Sequence, residues 1–201
     1  MKLKEIKLLA RTLDTKDEKY SFAFLDFDDK TIVGTNQKCF LKLHLNEEEV
    51  IDCTGKSYMH ITAVKQALSF KDKDFNFEFR DNLLITGVNK AISTNSVLDT
   101  KTLGEIKLLY RVLNDDTYIT SFRVDNIEML EHELARIGIY VFVDNLKYLQ
   151  EFAIGSDSYI ISIDEEKEIV KIDGYEDGKI RFNFVTMTQN HNFKSSLHKI
   201  N

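Results

Sequence analysis

The chain has 201 residues, 43% hydrophobic and 30% charged, with fourteen Phe and eight Tyr. That balance builds a core and excludes an intrinsically disordered polyelectrolyte. A formal charge of −6 argues against a uniformly cationic nucleic-acid binder. No apolar run approaches the ~18 residues of a bilayer span, and Met1-Lys2-Leu3-Lys4-Glu5 has no signal-peptide core, so a cytoplasmic location with no membrane partner is expected.

The first element is an amphipathic helix over Leu3 to Leu13. Ile6, Leu9, Ala10 and Leu13 recur at i, i+3, i+4 and i+7, one apolar stripe. Lys4, Lys7 and Arg11 fall within about 60° of arc on the other side at ~100° per residue. Leu8 sits at the edge of this basic arc and is expected to touch a neighbouring helix. Strands follow over Tyr20 to Asp26 and Thr31 to Leu45, then a helix at Ala63 to Phe70 carrying Lys65, then strands at Phe75 to Phe79 and Leu83 to Val88.

The pattern then starts again. Leu103-Gly104-Glu105-Ile106-Lys107-Leu108-Leu109-Tyr110-Arg111-Val112-Leu113 repeats the first helix at a shift of 100, with Lys107 and Arg111 in two of the three basic positions. Strands are expected at Tyr118 to Val124 and Ile137 to Val143, a helix with Lys147 at Asn145 to Phe152, and strands at Ser158 to Ile163, Glu168 to Ile172 and Lys179 to Val185. The second copy lacks a connector equivalent to Asn46 through Tyr58. Each half therefore reads helix, two strands, helix, two or three strands, an α+β organisation. The division expected is 1–98 and 99–188, with a polar tail at 189–201. Phe193, Leu197 and Ile200 give that tail the spacing of a short partner-binding helix, although disorder suits its composition better.

The repeat also organises the charge. Residues 2–13 carry four basic groups and one acid, residues 101–113 three basic groups and one acid, so the rest of the chain holds −11. Lysines and arginines on one helix normally just face water. Two basic faces in register argue for a shared polyanionic partner.

With no proline and eight glycines, turns fall to Asn, Asp and Gly, as at Asp28-Asp29, Asp81-Asn82 and Asp173-Gly174. Cys39 and Cys53 lack CxxC spacing, and with His44 and His60 they lack the close spacing of a metal or nucleophile site. Carboxylate pairs such as Asp115-Asp116 sit at expected turns, and GxGxxG and GKS/GKT loops are missing. No catalytic group, metal or cofactor is expected.

On the twin basic helices, the strand and turn Thr31-Ile32-Val33-Gly34-Thr35-Asn36 and the C-terminal Ile180-Arg181-Phe182-Asn183-Phe184-Val185-Thr186-Met187, the sequence resembles the DNA sliding clamps. The resemblance covers about residues 1–188 and is one of pattern, since clamps carry no short diagnostic motif. It implies the DNA-clamp fold, with sheets outside and helices inside a ring. Clamps of this family complete a pseudo-sixfold ring from two three-domain or three two-domain chains. A two-domain chain therefore implies a homotrimer of the phage type, a processivity factor for DNA replication with duplex DNA, a DNA polymerase and a clamp loader as partners.

Lys4, Lys7, Arg11, Lys65, Lys107, Arg111 and Lys147 would then surround the duplex, while acidic stretches such as Glu47-Glu48-Glu49 and Asp164-Glu165-Glu166 face outward. By the same resemblance, Ile92, Val97, Leu98 and Met187 flank the connector and the last strand, where client tails dock. A clamp-like regulatory module that never closes a ring is the alternative. A small hydrolase or nuclease is a third reading and has no motif.

Overall fold

The computed structural model describes residues 3–13, 22–36, 39–45, 55–59, 61–70, 75–79, 82–94, 111, 118, 120–139, 141, 149, 156–164 and 168–188. The chain divides into two compact units, Met1–Leu108 and Leu109–Asn201. Both are α+β, with antiparallel strands throughout.

The first unit opens with α1 (Leu3–Leu13), followed by β1 (Phe22–Asp26), β2 (Thr31–Thr35), β3 (Cys39–His44) and β4 (Lys56–Met59). Then come α2 (Ile61–Leu68) and β5 (Asn76–Phe79), β6 (Leu83–Thr86) and β7 (Ala91–Thr94). Strands β1 to β4 pair in the order β4-β1-β2-β3, and β5-β6-β7 form a separate small sheet. The expected strand over Thr31 to Leu45 is thus two strands, and β4 and β7 are additions to the expected set. Lys-Ser-Tyr-Met has no local strand signal; pairing with β1, Ala23 opposite Met59 through Asp26 opposite Lys56, is what makes it β4.

The β1–β2 turn forms at Asp28-Asp29 as expected. Lys30 takes a positive φ of 51°, and Asp26 Oδ1 accepts the Asp29 N–H at 3.2 Å. Asp28 Oδ1 accepts the Gly55 N–H at 2.8 Å, and Lys56 Nζ pairs with the buried Asp26 carboxylate. Together these tie the start of β4 to the turn. On β2, Gly34 faces α1: a Cβ there would lie 2.5 Å from Leu9 Cδ1. The missing side chain is what lets the helix sit down on the sheet.

The second unit contains β8 (Thr120–Val124), a 3₁₀ turn at Ile127–Met129, α3 (Leu130–Arg136), β9 (Ser158–Asp164), β10 (Ile169–Glu176) and β11 (Lys179–Met187). Its strands pair in the order β11-β10-β9-β8. Val124, Tyr159, Ile161, Ile163, Val170, Ile172, Phe182 and Phe184 supply the apolar face, all buried.

Two expectations are corrected in this unit. The strand placed at Ile137 to Val143 is not there over its first half: Ile137 caps α3, and of the remainder Val141 makes a single bridge to Thr188. The overlooked helix has a sequence signal, because Ile127, Leu130, Leu134 and Ile137 are buried at spacings of three, four and three. Asn126 Oδ1 accepts the Glu128 N–H at 2.8 Å and starts the helical segment. Gly138, at φ 79°, ends it: its N–H bonds to Ala135 O at 3.0 Å and the Ile139 N–H to Leu134 O at 2.9 Å, a Schellman motif.

Asp173-Gly174 is likewise not a turn but lies inside β10. The hairpin turn falls at Asp177-Gly178, both at positive φ (52° and 73°), as a type I′ turn requires. Gly174 instead lies opposite Phe182, whose ring occupies the space where a Cβ would sit.

Candidate nucleic-acid interface

In the first unit the helix α1 carries two of the exposed cations, Lys7 and Arg11. This helix has three sides: Ile6, Leu9, Ala10 and Leu13 are buried at the spacing of the apolar stripe, Glu5, Leu8 and Thr12 are also buried, and Lys7 and Arg11 are exposed. Burying Ile6, Leu8, Leu9 and Leu13 contributes about 1.5–3 kcal/mol per side chain, so the helix cannot roll to hide its cations. Thr12 satisfies its hydroxyl by donating to Leu8 O at 2.9 Å, a bond that costs the helix little. Leu8, which did not suit a water-facing arc, is fully buried, and α1 packs against α2 as well as over β1, β2 and β3.

On α2, Ala63, Val64 and Ala67 are buried, while Thr62, Lys65 and Gln66 are exposed. Lys65 therefore stands on the solvent side of the second helix, as the period predicts. The Lys4 side chain, Lys107 and Lys147 lie outside the described residues. Arg111 is helical and exposed.

The four residues chosen as a docking pocket divide. Ile92, on β7, pairs with Ile85 and shares its face with Phe77, so it continues the packed row of the small sheet and is half-buried. Met187, near the end of β11, is 48% exposed. Val97 and Leu98 lie outside the described residues.

Elsewhere the ionisable groups are structural in character. On the polar face of the second unit's sheet, Lys171 Nζ lies 3.3 Å from Asp173 Oδ2 and 4.9 Å from the centre of the Tyr118 ring, and Asn183 Nδ2 donates to Asp173 Oδ1 at 2.7 Å. Arg181, buried, pairs with Glu176 at 3.7 Å. Burial lowers the Lys42 pKa, an effect Asp29 and Asp26 oppose. Burial pushes the Cys39 thiol up to about 12 against a bond from its Sγ to Asn36 Oδ1. Among the described residues no group of three or more His, Cys, Asp or Glu is placed to hold a metal ion, and no helix is long and apolar enough to cross a membrane.

An α+β chain of short helices and antiparallel sheets in two successive units is an architecture that known proteins share. The beta clamp of Helicobacter pylori in complex with 5-chloroisatin superposes with a TM-score of 0.63 at 13% identity, covering 94% of this chain and 63% of that one. The beta subunit of DNA polymerase III from Thermotoga maritima gives 0.61 at 13% identity, covering 96% and 65%. This chain has the DNA sliding-clamp fold. A third clamp structure, from H. pylori with a DNA ligase peptide bound, gives 0.57 at 14% identity, covering 94% and 63%. The chain thus spans about two-thirds of the length of these clamps, a little under it in each case. No protein-family model matches the sequence, and no curated protein matches it.

Proposed function

We propose that the protein is a sliding clamp for DNA replication: a non-enzymatic ring that encircles duplex DNA and tethers a DNA polymerase to it. The observation that carries this reading is the outward basic stripe of α1, Lys7 and Arg11, fixed by the burial of the helix's other two sides within a clamp fold. Phosphates are attracted by such a stripe without any base being read, and that is what sliding needs. Lys4, Lys65, Lys107, Arg111 and Lys147 extend the same role.

The count of units supports a ring of three copies. Two domains, near 1–98 and 99–188, span about two-thirds of a beta clamp's length, so a six-domain ring takes three copies, a phage-like homotrimer. Closure head to tail also answers an edge problem. Strand β7 pairs only with β6 among the described residues, and the apolar row Phe77, Ile85, Ile92 runs out half-buried at that edge. A clamp loader and polymerase are the expected clients. Met187, exposed, is the described residue best suited to meet their tails, with Val97 and Leu98 beside it and Ile92 contributing from the packed side. Such a protein works beside the replicating DNA, in the cytoplasm of a phage-infected or bacterial cell.

The test is topological. The protein is assembled on nicked circular DNA and passed through a sizing column before and after the circle is cut. Retention on the circle and loss from the linear form is the expected result, and Lys7→Glu with Arg11→Glu lowers the amount loaded onto the circle while the thermal melt is unchanged. Equal retention on both forms, or none on either, overturns the ring and leaves the monomeric clamp-like module.

A further inference from the structure

The chain holds two Asp-Gly dipeptides, Asp173-Gly174 and Asp177-Gly178, and the fold treats them oppositely. Asp173 and Gly174 are buried inside β10, which pairs with β9 on one side and β11 on the other. The Asp173 carboxylate accepts from Asn183 Nδ2 at 2.7 Å and lies 3.3 Å from Lys171 Nζ, and the Phe182 ring covers Gly174. Asp177 and Gly178 are both exposed at the tip of the β10–β11 hairpin, and nothing lies within 4 Å of where a Gly178 Cβ would sit. Asp157 Oδ2 accepts the Asp177 N–H at 2.9 Å, a bond that uses Asp177's own nitrogen and not that of Gly178.

We propose that Asp177-Gly178 is a site of spontaneous backbone modification, at which the peptide link moves from the main-chain carbonyl of Asp177 to its side-chain carboxyl and leaves an isoaspartyl residue. The proposal stands apart from the clamp reading and holds whatever the chain binds. The Gly178 nitrogen attacks Cγ of the protonated Asp177 carboxyl. An N–Cγ bond forms, a C–O bond breaks, and the hydroxyl leaves as water with the amide proton, closing a succinimide ring. Water then adds to either ring carbonyl. Breaking the bond to Cγ restores aspartate; breaking the bond to the main-chain carbon leaves the chain running through Cβ, with the former main-chain carbonyl as a free carboxylate. Mass is unchanged, and water is the only reagent.

Two features select this dipeptide over the other. Glycine has no Cβ to keep its nitrogen from the carboxyl carbon, and at the tip both residues hold positive φ, 52° and 73°, a conformation unfavourable for a residue with a side chain. Opening the tip moves a few exposed residues, whereas reaction at Asp173 requires β10 to leave both neighbours and the carboxyl to lose its partners. The product lengthens a two-residue loop by one backbone carbon, which a type I′ turn does not accommodate, so the hairpin tip changes shape.

The test compares the two dipeptides within one chain. The full protein is incubated at neutral pH in heavy-oxygen water, folded and in guanidinium, and fragment ions from backbone-cleaving mass spectrometry assign each isomer to Asp173 or Asp177. Isoaspartate at Asp177, carrying one heavy oxygen, is expected in the folded chain within about tenfold of its unfolded rate, while folding slows Asp173 more than about a hundredfold. Asp177→Glu, whose imide would need a larger ring, removes the product and leaves Asp173 as it was. Slowing of Asp177 by more than about tenfold on folding, a product without heavy oxygen, or the same isomer from the Asp177→Glu chain overturns the proposal.

Discussion

Each unit contains a buried glycine at a close approach, and the two approaches differ in kind. In the first unit Gly34 lies under the Leu9 methyl of α1, so the glycine sets how near a helix comes to its sheet. In the second, Gly174 lies under the Phe182 ring from the neighbouring strand, so the glycine is covered within the sheet itself. A leucine methyl at the end of a side chain can swing aside. A ring buried among Tyr159 and its neighbours, three of whose atoms crowd the site, cannot. The units share a fold class but place their tightest packing in different layers.

The contrast is open to attack by substitution. Gly174→Ala is expected to be the most damaging change, about 3 kcal/mol by urea denaturation, because Phe182 must leave its rotamer. Gly34→Ala should cost less, about 1–2 kcal/mol, and truncating Leu9 in the same chain should recover part of that loss, a coupling that is absent between Leu9 and Gly174. Equal costs for the two glycines would show that α1 is as immovable as the ring.

On the polar side of the second unit's sheet the effects should be smaller. Asp173→Ala takes one acceptor from Lys171 and from Asn183 and should cost about 1–2 kcal/mol, and Lys171→Met, which keeps the packing against Tyr118 but leaves the Asp173 carboxylate without that cation, should cost about as much.

The smallest effect concerns Cys39. Its folded pKa is raised from 9.0 to about 12, so the folded chain keeps a proton that the unfolded chain loses. The resulting stability is fully present below pH 9 and disappears as pH rises through about 12. In a Cys53→Ser background, alkylation at pH 9 should be slow in the native protein and fast in urea. Rapid native labelling would mean that the start of β3 at Cys39 opens readily.

Much of the fold was readable because burial leaves a period. Ile6, Leu9, Ala10 and Leu13 announce α1, and the long hairpin of β10 and β11 shows in its apolar runs. What escaped detection depended on distant contacts or on competing signals. The tetrapeptide of β4 becomes a strand only through β1. Asp173-Gly174 and Asp177-Gly178 are equivalent turn signals four residues apart, and only the packing of Phe182 against Gly174 selects the second. The α3 stripe at 127, 130, 134 and 137 has the helical period, but its last residue, Ile137, also begins the β-branched run Ile137 to Val143 that reads as a strand.

The candidate site divides the same way. Exposure of Lys7, Arg11 and Lys65 follows from helical period alone, whereas a docking pocket has no local pattern, and Ile92 shows why: its apolar side chain continues a packed row.

The central claim, that three copies close around DNA, is tested most directly by imaging single particles in negative stain. A threefold ring with an open centre, filled when duplex DNA is present, is the predicted result. Compact particles of one-chain mass with no central opening, at the concentrations where DNA is bound, would contradict it.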